Sequence, residues 1–159
     1  MTSRVSFAQL VDGAALVADL GAKTKDDALA EVLAAAQKQG AWKPKATKAL
    51  HQRLRDREQI GSTGLGNGVA VPHVKADEIE KPILVLARAK AGLDWQAIDG
   101  RPVTVLFFLA TPLAQPEAHL QCLRWIATLA RSADFRRFLL DARDGDAMRD
   151  LLREMAPRE

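Results

Sequence analysis

Between residues 24 and 40, apolar side chains recur at Leu29, Val32, Leu33 and Ala36, the i, i+3, i+4, i+7 spacing of one helical face. Thr24 stands at the start of this run with Asp27 three residues on, a variant of the capping box, and Gly40 stops it. Asp26 and Asp27 suit the positive end of the helix dipole, and Lys38 suits the negative end. Pro44 opens a second helix over residues 45–58, with Ala46, Leu50 and Leu54 along one side, Arg57 in the last turn and Gly61 just beyond. The segments 16–20, 69–71, 83–89 and 103–110 read as strands. Those at 83–89 and 103–110 are nearly unbroken apolar runs, the pattern of central strands covered on both faces, and Asp99-Gly100 marks a turn between them. From Pro116 the helical spacing returns at Leu120, Leu123, Ala127 and Ala130. A further helix is capped at Asp134, and residues 144–155 carry Met148, Leu151, Leu152 and Met155 in the same spacing. The sum predicts a single domain over residues 1–159, an α/β chain folded as a three-layer α/β/α sandwich around a mixed sheet.

Composition narrows the function classes. The chain has 159 residues, 48% hydrophobic and 27% charged, enough for one well-buried core. Gln9, Asp12 and Asp19 interrupt any signal-peptide core, and no later segment nears the roughly 18 apolar residues of a membrane span, so no membrane insertion is expected. A single cysteine, Cys122, fits a reducing compartment, and the cytoplasm is the predicted location. The net charge is only +3, basic and acidic residues alternate, and aromatics make up 5%. A nucleic-acid footprint would show a basic stripe with aromatics within it, so no nucleic-acid partner is read here.

The candidate chemistry lies in the glycine-rich stretch REQIGSTGLGNGVAVPHVK, residues 57–75. Glycine permits close approach of the backbone to a ligand, commonly phosphate. Gly61 to Gly66 has the spacing of a phosphate-binding loop, but Asn67 stands where Lys belongs. The dinucleotide fingerprint also fails, because Val69 replaces its third glycine and the order is helix, loop, strand. Glu58 is followed, after six intervening residues, by Leu65, Gly66, two further residues, and then Val69, Ala70, Val71, Pro72 and His73. This order resembles the active-site signature of the type-2 enzyme IIA domains of the bacterial sugar phosphotransferase system, the fructose, mannitol and nitrogen-regulatory class. The wording from Arg57 through Gly68 is most similar to the nitrogen-regulatory branch, and GLDWQAIDGRPVTVLFFLATP followed by His119-Leu120 resembles the family's second half, for coverage of about residues 6–155.

The resemblance implies that His73 accepts a phosphoryl group from the phosphocarrier protein HPr or its nitrogen-branch paralogue, by way of Nε2, with no cofactor and no metal. An ordinary imidazole, pKa near ~6.5, is neutral and nucleophilic at cytosolic pH without further activation. The resemblance likewise assigns Arg57 to stabilising phosphoryl charge and His119 to a supporting hydrogen bond. Pro72 should end its strand and present His73 at the tip. Ser62, Thr63, Gly66, Asn67 and Gly68 form the candidate phosphate loop, offering hydroxyls and backbone N–H groups. His51 among Gln52, Arg53 and Arg55 reads as solvated, and Trp42, Trp95 and Trp125 as packing groups.

Several functions compete. A nitrogen-regulatory IIA would control partner proteins by its phosphorylation state, whereas a sugar-specific IIA would pass the group to a IIB component of a transporter. A chain with no fused IIB or IIC segment favours the first. A binding module that has lost phosphotransfer is motivated by Val74, where the family has a small residue and a branched side chain could narrow carrier docking. A zinc site from His73, His119 and Cys122 lacks a fourth ligand.

Overall fold

The structure is a computed structural model that describes residues 4–158. In chain order it consists of α1 (Phe7–Asp12), β1 (Ala15–Val17), α2 (Lys25–Lys38), a 3-10 turn at Pro44–Ala46, α3 (Thr47–Ile60), β2 (Gly64–Gly66), β3 (Val69–Ala70) and β4 (His73–Ala76). β5 (Ile83–Leu93), β6 (Val103–Pro112), α4 (Pro116–Arg131), α5 (Ala133–Asp141) and α6 (Gly145–Met155) complete it. The six strands form one mixed sheet in the order β1-β5-β6-β3-β2, with β4 continuing the line of β3 along β6. β5 and β6 run antiparallel, while β1 lies parallel to β5, and β3 and β4 lie parallel to β6.

Side chains alternate across this sheet, and each face is roofed by helices. Val69, Val71, Leu84, Leu86, Val105, Phe107 and Leu109 pack with the α1, α4, α5 and α6 side. Ala70, Val74, Ala76, Val85, Ala87, Leu106, Phe108 and Ala110 pack with α2 and α3. Coverage on both faces is why β5 and β6 read as unbroken apolar runs. The three-layer sandwich is as the sequence predicts.

Several details differ from the expectation, each for a local reason. β1 spans only Ala15–Val17 rather than 16–20. The helix after Pro44 starts as a 3-10 turn, and α3 begins at Thr47. Ser132, not Asp134, caps α5, its hydroxyl accepting from the Phe135 N–H at 3.1 Å. Thr24 caps α2 as expected, accepting from the Asp27 N–H. Helix α1 and the strands β2 and β4 are additional elements, each too short to leave a periodic signal.

Arg88, on β5, is the one charged side chain buried in the middle of the fold among the described residues, 2% exposed. Its guanidinium donates to the carbonyls of Ala18 (2.9 Å), Leu139 (2.9 Å), Leu140 (3.3 Å) and Ala142 (2.6 Å). It thereby closes the C-terminal end of α5, where orphan carbonyls and the dipole favour a cation, onto the sheet. Arg88→Met would fill the volume but leave those carbonyls unpaired. It is expected to lower the unfolding free energy by about 3 kcal/mol, read as a reduced urea midpoint at unchanged slope.

Candidate functional site

Pairing along β6 is interrupted at Val71-Pro72, between the stretches Val69–Ala70 and His73–Ala76. Proline has no N–H to give to the ladder. Its carbonyl still accepts from the Leu109 N–H at 3.0 Å, so the strand resumes in register at His73 instead of ending there. His73 therefore opens β4 rather than standing at a strand tip. The break leaves the Val71 carbonyl outside both paired stretches, and the His73 Nδ1–H donates to it at 2.7 Å. Nδ1 is thus occupied, and Nε2 carries the lone pair.

The half-buried His73 ring faces His119, with ring centroids 5.4 Å apart. His119 lies in the first turn of α4 and is buried, its Nδ1 2.6 Å from the Thr111 hydroxyl. Burial is the main reason that both imidazoles have lowered pKa values. At His73 the bond to the Val71 carbonyl and the carboxylate of Glu58 oppose this, while Arg57 and Lys75 add to it. His119 is lowered to about 4, with His73 and Lys75 contributing after burial. Both rings are neutral at neutral pH.

Arg57, in the last turn of α3, donates to the Gly61 carbonyl at 2.7 Å. One N–H is so engaged, and the rest of its five-donor fork remains for an anion. Its charge is close enough to bear on the His73 imidazole, as the lowered pKa records.

The candidate phosphate loop is occupied by internal partners. The Glu58 carboxylate accepts from the Thr63 N–H at 3.2 Å and from the Thr63 hydroxyl, and pairs with Lys25 at 2.6 Å. The Thr63 oxygen also accepts from the Trp95 indole N–H at 3.1 Å. The Ser62 hydroxyl donates to the Trp95 carbonyl at 2.6 Å and accepts from the Gly64 N–H at 3.0 Å. A Cβ at Gly64 would lie 2.8 Å from that of Ala97, so the glycine there allows packing of two chain segments, not approach to phosphate.

Gly66, Asn67 and Gly68 form the tip of the β2–β3 hairpin, with φ values of 85°, 57° and 78°. The Asn67 N–H donates to Asp99 at 2.9 Å, and the Gly68 carbonyl accepts from Thr104 and Val105. That tip sits at the start of β6, while His73 pairs with Leu109. At about 3.3 Å per residue the two are more than roughly 13 Å apart. The expected phosphate contacts of Gly66, Asn67 and Gly68 are therefore not brought together with His73, and their glycines serve the left-handed turn.

Val74 needs the same correction. One residue past His73 along a strand points to the other face, and Val74 is buried in the α2–α3 core, away from the docking side. The motive for a binding module that has lost transfer is gone. Among the described residues no group of three or more His, Cys, Asp or Glu side chains could hold a metal ion. Cys122 is buried, with its thiol pushed up to about 11 by desolvation. His51 pairs with Asp26 at 3.2 Å rather than standing free, and Trp42, Trp95 and Trp125 are buried packing groups. No helix among the described residues is long and apolar enough to cross a membrane. The sequence reading overlooked Lys25 and Thr111, and it read Trp95 for packing alone without its bond to Thr63; these residues reach the site only through the fold and carry no local motif.

A neutral, buried His119 makes stability acid-sensitive. Below pH 6.5, the ordinary imidazole value, the unfolded chain binds a proton at residue 119 that the folded chain refuses until about pH 4. Stability should fall as pH drops through that window, by on the order of 2–3 kcal/mol, and level off below it. His119→Gln, which keeps a partner for Thr111 but cannot titrate, should flatten this part of the profile in urea unfolding from pH 7 to pH 4.

Residues 9–155 match the family model described as phosphoenolpyruvate-dependent sugar phosphotransferase system, EIIA 2. A nitrogen regulatory protein of Bradyrhizobium diazoefficiens is 35% identical over 144 residues, 90% of this chain and 92% of that protein. The fructose-specific EIIABC component of the Bacillus subtilis phosphotransferase system is 29% identical over 136 residues, 86% of this chain. There the chain spans only 21% of the relative's length. Among solved structures, nitrogen regulatory protein IIA-Ntr from Neisseria meningitidis superposes with a TM-score of 0.81 at 24% identity, over 89% of this chain and 97% of that one. That likeness shows the fold.

Proposed function

Because the chain belongs to the EIIA 2 family of the phosphoenolpyruvate-dependent sugar phosphotransferase system, a phosphotransferase component, we propose that it is a phosphoryl carrier whose acceptor is Nε2 of His73. The observation that carries this reading is the bond from His73 Nδ1–H to the Val71 carbonyl at 2.7 Å, which leaves Nε2 as the free nucleophilic nitrogen. The donor is a small carrier protein phosphorylated on histidine, HPr or its nitrogen-branch paralogue. The Nε2 lone pair attacks phosphorus, the new N–P bond forms as the donor's N–P bond breaks, and that bond's electron pair stays on the donor imidazole. No proton need leave His73, and no metal or nucleotide is called for.

Charge on the transferred group is met from two sides. Arg57 has unused guanidinium donors beside the ring, and His119 supplies a supporting hydrogen bond from the first turn of α4, where the helix dipole favours an anion. Ser62 and Thr63 brace the loop that follows Arg57 through their bonds to Trp95 and Glu58. Exposed apolar side chains lie on the segments leading to the two histidines, Ile60 (84% exposed) at the end of α3 and Leu113 and Leu120 (51% and 41%) around the start of α4. They suit docking of a carrier surface over the site, in the cytoplasm where such carriers work.

The group then passes out of the protein or acts as a signal. Similarity over nine tenths of the Bradyrhizobium relative, itself a nitrogen regulatory protein, favours control of partner proteins by phosphorylation state. The sugar-specific alternative, transfer to a IIB component, draws on the fructose-specific relative.

Incubation with enzyme I, a histidine-phosphorylated carrier and phosphoenolpyruvate, followed by intact-mass measurement, tests the acceptor. One acid-labile phosphoryl adduct is expected, absent from His73→Ala; an adduct that survives this substitution sinks the assignment. Arg57→Ala should slow transfer about 100-fold. Because the acceptor's pKa is lowered by burial, the midpoint of the acid-side decline in transfer rate should lie below that of an ordinary imidazole.

A further inference from the structure

Thr111 sits at the end of β6 opposite Lys75, on the face of the sheet turned towards α4, and it is fully buried. Its hydroxyl lies 2.6 Å from Nδ1 of His119, its one side-chain partner among the described residues. Two arrangements are open to that contact. If Nδ1 carried the hydrogen, the hydroxyl would accept, and its own proton would be left buried with no acceptor, at a cost comparable to a lost hydrogen bond. If the hydroxyl donates, Nδ1 accepts and both groups are satisfied. A neutral imidazole has one hydrogen, so the second arrangement places it on Nε2. No buried side-chain nitrogen or oxygen among the described residues lacks a partner, which shows how fully such groups are met in this fold.

From this geometry we propose that Thr111 is a positioning residue: its hydroxyl donates to Nδ1 of His119 and thereby holds that ring as the Nε2–H tautomer, a hydrogen-bond donor towards the group on His73. The inference rests on the reading of His73 as acceptor. The two imidazoles are then set as a complementary pair by two different strand-end contacts. The Val71 carbonyl takes the proton side of His73, leaving a lone pair at its Nε2. The Thr111 hydroxyl takes the lone-pair side of His119, leaving a hydrogen at its Nε2. With the opposite tautomer, His119 would turn a lone pair towards phosphoryl oxygens and repel them.

Two measurements on the intact protein separate this from its premise. Two-bond proton–nitrogen correlation spectra of the unphosphorylated, 15N-labelled protein at pH 7 report which ring nitrogen bears hydrogen. For His119 the expected result is hydrogen on Nε2 and an acceptor-type Nδ1; hydrogen on Nδ1 overturns the proposal whatever the phosphotransfer result. Thr111→Val removes the donor at nearly constant volume. It should give mixed His119 tautomers and roughly tenfold slower phosphorylation of His73, while Thr111→Ser restores both. A valine variant that keeps the Nε2–H spectrum and the normal rate also overturns it. Failure of the wild-type protein to take a phosphoryl group counts against the acceptor reading instead, and the spectrum still decides the tautomer.

Discussion

The site depends on a strand that cannot finish its hydrogen bonding. Pro72 brings no N–H to the pairing with β6, yet its carbonyl is paired and β4 resumes at His73 in register with Leu109. One carbonyl, that of Val71, is left over in a half-buried place where an unpaired acceptor would be costly. The imidazole two residues on satisfies it. The same break therefore orients His73, chooses which nitrogen keeps the lone pair, and holds the ring on the face opposite to Val74. Because both flanks of the break are paired to β6, the histidine is placed by a central strand of the sheet.

Around that ring the influences that disfavour a positive charge outweigh the Val71 carbonyl and Glu58, which favour one. Burial disfavours an imidazolium, and the cations Arg57 and Lys75 disfavour it further, so His73 stays neutral. A field that repels an added proton attracts a phosphoryl dianion. For the proposed phosphohistidine carrier, Arg57 and Lys75 serve both an unprotonated acceptor and a stabilised product, whereas burial serves only the first. Glu58 does not spoil it. Its carboxylate is tied to Lys25 and Thr63, with its charge offset within the loop.

Much of this was legible in the sequence, and the rest was not for identifiable reasons. Sustained apolar runs and helical spacing gave the sandwich, because long elements average out local exceptions. Elements of three to six residues, such as β2, β4 and α1, have no period to detect. The order of residues around His73 pointed to the acceptor, but it says nothing of which groups touch it. Lys25, Trp95 and Thr111 are brought in by long-range packing. Glycines misled: 66 and 68, which look like a phosphate cradle, serve a left-handed hairpin tip, and Gly64 makes room for Ala97. A glycine marks an unusual backbone or a close approach without naming the partner.

The interior of the site is saturated, which constrains where specificity lies. Ser62, Thr63 and Glu58 spend their hydrogen bonds on one another, on Lys25 and on Trp95, and the Nδ1 atoms of both histidines are engaged. Among these groups of the described residues, His73 Nε2, His119 Nε2 and the spare donors of Arg57 are the ones left unengaged. These would treat any phosphohistidine or acceptor group alike. Under the proposed function, choice among carriers and downstream proteins falls to exposed surface such as the apolar side chains of Ile60, Leu113 and Leu120. Such a division would let partners change by surface substitution while the hydrogen-bonded centre of the proposed transfer stays intact.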